Sequence, residues 1–182
     1  MNSSKLEIIK PHEIVKLGDL LMNYNEMIGA TLVIASVDRR KLVHPREYSV
    51  TGDEDECFPE EEIGRILYSV HAVLFACGMP DTTLRASIKE LGMTLGGVKA
   101  LVQLAKESPR PSFDGQLPLI ASGRLKWSGR KENATALCLI ERGQEERRLV
   151  PTWLNPELAP YFGWPPHYWH LALKERRRVT YG

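Results

Sequence analysis

His167 and His170, three residues apart in the run His167-Tyr168-Trp169-His170, are the nearest approach to a metal-ligand pair in the sequence. Two imidazoles at that spacing can share one face of a helix, and a zinc ion between them would activate water for hydrolysis. Such a centre also needs a third ligand and a general base, and no spacing elsewhere supplies either. A second concentration of chemistry is acidic: Asp53, Glu54, Asp55, Glu56, Glu60, Glu61 and Glu62. Carboxylates suit a hard cation, but the run lacks the alternating ligands and central glycine of a calcium loop. There is no glycine-rich phosphate cradle and no Gly-x-Ser-x-Gly elbow, and Cys57, Cys77 and Cys138 have no motif partners. A metal-assisted hydrolase around His167 and His170 is therefore the third reading of the chain, behind two binding readings, and no cofactor is expected.

The elements that must position any site follow from hydrophobic spacing. Ile14, Leu17, Leu20, Leu21, Tyr24, Met27 and Ile28 recur at helical intervals after Pro11, with Gly29 where a C-terminal cap would sit. This predicts an N-terminal helix. Thr31 to Val37, Leu42-Val43 and Tyr48-Ser49-Val50 read as short strands. Ile63, Ile66, Leu67, Val70, Val73, Leu74 and Cys77 predict a second helix, opened by Pro59 and its carboxylates and stopped by Gly78 and Pro80. His71 lies beside its apolar face, where a histidine is read as a packing residue. Asp81 can cap a third helix with Leu84, Ile88 and Leu91 inward, Gly92 permits a sharp turn, and Thr94 can cap a fourth. Past a polar linker over 107–118 the period changes to alternation. Arg124 to Ser128, Ala134 to Ile140 and Arg147 to Leu154 predict a small antiparallel sheet, with Pro151 placing the last segment at an edge. His167 to Arg178 is read as a final helix.

The pair of segments from Leu84 to Ala105 resembles a helix-turn-helix, the DNA-binding bihelical unit of many transcription regulators. Leu91-Gly92-Met93, Val98 and Leu101 fall where that motif places its turn and its locking residues. The resemblance implies that 95–106 lies in the major groove. Lys99, Gln103 and Lys106 would then face outward, with Arg85, Lys89 and Thr94 nearby, Gln103 reading a base edge and the lysines touching phosphate. Arg124 and Lys126 on the following strands would act as a wing. A helical hairpin that merely packs is the plain alternative. Gly96 and Gly97 inside the supposed recognition helix disfavour the motif by about 1 kcal/mol each relative to alanine.

Length and composition bound the rest. The chain has 182 residues, 43% hydrophobic and 26% charged, enough for one substantial core or two small ones. Three widely spaced cysteines suggest neither disulfides nor zinc, and no apolar stretch approaches a bilayer span. These features imply a cytoplasmic protein with no membrane partner. The near-neutral charge of +1 conceals a basic C-terminal part ending in Lys174-Glu175-Arg176-Arg177-Arg178, able to face phosphates or simply solvent. Tyr161, Phe162, Trp164 and Trp169 mark an aromatic tail that either packs on the sheet or binds a protein partner or a second copy.

The expected architecture is α+β: an N-terminal helix with short strands, a three-helix core containing the helix-turn-helix, then a small antiparallel sheet and a C-terminal helix. It divides into a mainly helical segment over 1–107, with the motif at 82–106, and a sheet segment over 119–182. The first functional expectation is a regulatory or accessory protein bound to double-stranded DNA. The alternative is a protein-binding or assembly subunit using the aromatic tail and the acidic segment.

Overall fold

The computed structural model describes residues 7–26, 64–107, 114–127, 134–142, 146–154, 164, 166 and 168–179, with the backbone alone for 114, 124–127, 134–142, 146–154 and 179. One sheet of seven strands organises them: β1 (Glu13–Asn23), β2 (Arg65–Leu74), β3 (Thr94–Leu95), β4 (Leu119–Trp127), β5 (Ala134–Arg142), β6 (Glu146–Leu154) and β7 (Trp169–Val179). The strand order is β1-β2-β7-β4-β5-β6, with β3 also pairing β7. All pairings are antiparallel except β4 with β7. Two α-helices are present among the described residues, α1 (Asp81–Glu90) and α2 (Val98–Glu107). The protein is α+β, and strand predominates.

This corrects the expected three-helix core. The N-terminal segment is strand β1, the segment after Ile63 is strand β2, and the segment ending at Arg178 is strand β7. Each departure has a physical cause. Strand β1 carries a bulge between Lys16 and Gly18, so one extra residue separates Val15 from Leu20 on the same face. That insertion shifts the alternation by one and converts a two-residue period into apparent helical spacing. Strands β2 and β7 lie inside the sheet and bury apolar residues on both faces, so neither shows simple alternation.

The two faces form two cores. On the first, Leu20 and Met22 of β1, Ile66, Tyr68, Val70 and Ala72 of β2, Leu171 of β7 and Leu119 of β4 pack against α2. Every residue of α2 from Val98 to Ala105 is buried, and the helix touches β1 at one end of the strand order and β4 and β5 towards the other. The sheet therefore curls round α2. On the second face α1 covers one end only, seating Leu84 and Ile88 against Val73, Phe75, Ile120, Ala172 and Trp164. Strands β4, β5 and β6 occupy the segments that alternation marks, yet they continue the same sheet as β1 and β2. The short strands read over 31–50, the helix start at Pro59, and Tyr161, Phe162 and His167 lie outside the described residues.

Candidate functional site

The turn expected at Gly92 is present, with φ +69°. The segment beyond that turn is not a recognition helix. The chain runs extended through Thr94 and Leu95, which pair with Leu173 and Ala172 of β7, and Gly96 donates its amide to the Leu171 carbonyl at 2.7 Å. Only then does α2 begin, so Gly96 and Gly97 precede the helix instead of interrupting it. The supposed outer face is interior. Lys99 is 4% exposed and Gln103 9%. Lys99 Nζ donates to the Tyr24 carbonyl at 3.0 Å and lies 5.6 Å from the centre of the Tyr24 ring. Gln103 Nε2 donates to Glu107, and Lys106 lies 3.9 Å from Glu26. A helix enclosed in this way cannot enter a groove, which removes the helix-turn-helix. Thr94 sits in β3, where its hydroxyl faces the Leu173 carbonyl at 3.4 Å. Lys89 is exposed on α1, and the side chains of Arg124 and Lys126 fall outside the described residues.

Arg85 belongs to a network that fastens α1 to β4. Its guanidinium donates to the carbonyls of Ser122 at 3.0 Å and Gly123 at 3.2 Å, and its Nε donates to Asp81 at 2.6 Å. Asp81 is the first residue of α1; its carboxylate also accepts the Trp164 indole N–H at 3.2 Å, so it makes no cap of its own. The Ser122 hydroxyl and His170 Nδ1 are 3.2 Å apart, and the His170 ring meets the Trp164 ring edge-on at 5.5 Å. The loop Trp164-Asp81-Arg85-Ser122-His170 thus closes on itself. Trp164 and Trp169 are both buried in the cores of the sheet.

His170 is wholly enclosed, and burial lowers its pKa from 6.5 to about 3. It is neutral at ordinary pH and enclosed, with Nδ1 beside the Ser122 hydroxyl, and His167, the other half of the pair read from the sequence, lies outside the described residues. Among the described residues no three His, Cys, Asp or Glu side chains converge on a metal position. The linkage has a definite sign. Between pH about 3 and 6.5 the unfolded chain holds a proton that folded His170 excludes, so stability rises with pH across that window and levels above it. The slope attributable to His170 reaches about 1.4 kcal/mol per pH unit. Urea midpoints measured from pH 4 to 7 should show it, and His170→Gln should flatten it; an equal slope in the variant would place the titration elsewhere.

The open end of the second sheet face carries a different chemistry. By register, three rows cross β1, β2 and β7: Lys16, His71 and Ala172; Asp19, Ser69 and Lys174; Leu21, Leu67 and Arg177. Arg176 is the extra residue at a second irregularity, opposite Leu67 and Tyr68. Lys16, Lys174, Arg176 and Arg177 are exposed, and no described element covers them. The one carboxylate in these rows, Asp19, bonds Lys16 at 2.9 Å. That bond holds its pKa below the usual carboxylate range, helped by the charges of Lys16 and Arg176. His71 Nε2 lies 3.1 Å from the Ser69 hydroxyl, while Nδ1 is buried without a partner among the described residues. Desolvation, then the charges of Lys16 and Lys174, lower its pKa, so it stands neutral among cations.

Sequence reasoning marks the basic run ending at Arg178 but not its companions, because Lys16 and His71 join it only when β1 and β2 are strands. No family model, curated protein or solved structure matches this chain. No helix among the described residues is long and apolar enough to cross a membrane.

Proposed function

We propose that this protein binds nucleic acid through the open face of β1, β2 and β7, making contacts to the phosphate backbone. The observation that carries the reading is the grouping of Lys16, Lys174, Arg176 and Arg177 on one sheet face with a single carboxylate among them. Exposed cations on a firm sheet attract phosphate at long range and release condensed counterions on contact. The rows hold no Phe, Tyr or Trp, so bases have no ring to stack on, and recognition falls on the backbone instead of on sequence.

Fluorescence anisotropy with labelled duplex and single-stranded oligonucleotides across a salt series tests this. Four phosphate contacts correspond to a slope of roughly −3 to −4 in log affinity against log salt, shallower for single strands. Lys174→Glu combined with Arg177→Glu should abolish binding while the circular dichroism spectrum is unchanged. Binding that is absent at low ionic strength, or that survives this double reversal, would end the reading.

A further inference from the structure

Strand β1 ends the strand order among the described residues, and its exposed apolar side chains take no part in the phosphate contacts proposed above. Among the described residues, the large apolar side chains most exposed to solvent are Ile8 at 52%, Ile14 at 41% and Leu21 at 41%, all on β1 or just before it. Between Ile14 and Leu21 stand Lys16 and Asp19, both exposed, their side chains 2.9 Å apart.

We propose that β1 pairs with β1 of a second copy of this chain, antiparallel about a two-fold axis that passes between Leu17 and Gly18. In that register Ile14 of each copy lies beside Leu21 of the other, and Lys16 of each lies beside Asp19 of the other. Apolar meets apolar, and cation meets anion, twice over. The four charged groups form an alternating ring in which each ion has one partner in its own chain and one across the axis.

The bulge makes this register possible. In a regular strand, residues three or seven positions apart point to opposite faces, so Lys16 could not stand beside Asp19, nor Ile14 beside Leu21, in a two-fold antiparallel pair. The extra residue between Lys16 and Gly18 brings all four onto the same face. Gly18, at φ +150°, takes a backbone conformation open to glycine, and a Cβ there would meet no described atom of its own chain within 4 Å. An edge strand leaves one row of backbone amides and carbonyls to be satisfied, and pairing with a copy satisfies them along its length. The two open faces would then lie on the same side of one continuous sheet.

Sedimentation velocity without nucleic acid, over a concentration range reaching about 0.1 mM, reads the association directly. The wild type should be a dimer in the upper part of that range. Asp19→Lys places four cations at the axis and Lys16→Asp four anions, so each variant alone should dissociate about tenfold more readily or worse. An equimolar mixture of the two should recover the dimer, as a heterodimer, because two cations contributed by one chain then oppose two anions contributed by the other. Should a charge variant fail to fold by circular dichroism, Ile14→Asp tests the same axis through its apolar pair and should be monomeric. The proposal is overturned by a monomeric wild type, by a dimer indifferent to the single substitutions, or by a mixture that stays dissociated.

Discussion

Replacing Trp164 by alanine is expected to lower the free energy of unfolding by about 3–5 kcal/mol, read as a fall in the urea midpoint at unchanged slope. Trp164 is among the largest fully buried side chains and sits in the core beneath α1 with Phe75, Met79, Leu84 and Ile88. Removing the indole empties that volume and takes a donor from Asp81, and it leaves the His170 ring without its edge-on neighbour. The main chain at this position exchanges two hydrogen bonds with Met79, so the surrounding backbone is held and cannot readily collapse into the space. Trp164→Phe keeps much of the buried area and loses the donor, so it should cost less, about 1–2 kcal/mol. A Trp164→Ala variant within about 1 kcal/mol of wild type, on the order of an ordinary surface change, would show that the residue is not core.

Gly123→Ala is expected to cost about 3 kcal/mol or more, a larger penalty than small-to-large changes usually carry. A Cβ at Gly123 would lie 2.3 Å from the Leu95 carbonyl oxygen and 2.8 Å and 2.9 Å from the carbonyl carbon and oxygen of Gly96. These are backbone atoms and cannot rotate away. The Gly123 amide also donates to the Gly96 carbonyl at 3.0 Å, so relief of the clash requires β3 to leave β4. Gly115→Ala is the matched control: a Cβ there meets nothing within 4 Å, and its stability should stay within about 0.5 kcal/mol of wild type. Thermal melts of the two variants side by side decide the point; equal melting temperatures would mean that β3 and β4 do not approach this closely.

Part of this molecule is legible from local sequence pattern and part is not. Helix α1 announces itself, since Leu84 and Ile88 repeat at helical spacing on a single buried face and Gly92 ends it at positive φ. Strands β4 to β6 are marked by alternation and turn residues. The remainder is decided by tertiary context. The bulge in β1 imitates a helical period, and β2 and the first half of β7 bury apolar residues on both sides because α2 covers one face and α1 covers one end of the other. Helix α2 shows a polar stripe of Lys99, Gln103 and Lys106 that should face water by amphipathicity, but Lys99 and Gln103 are buried and Lys106 is only partly exposed. Lys99 and Gln103 are tolerated inside because each finds a hydrogen-bond acceptor, the Tyr24 carbonyl and Glu107 respectively. No local pattern shows that partnership in advance.

The basic face is half legible for the same reason. The run from Lys174 to Arg178 is visible in one dimension, but Lys16, Asp19, Ser69 and His71 reach it only through cross-strand register. The aromatic tail behaves oppositely: Trp164 and Trp169 are conspicuous in the sequence and end up enclosed.

Pro151 lies in β6, at the far end of the order of the described strands, and bears on how far sheets of this kind could add to one another. A proline has no amide hydrogen to offer, and on a terminal strand that missing donor belongs on the outer rim. Copies meeting at their opposite rim would use it up, and the proline rim is a poor template for addition. If copies pair through β1 as proposed, growth would halt at a closed pair, because the remaining rim would lack a donor at the proline where a further strand would need one.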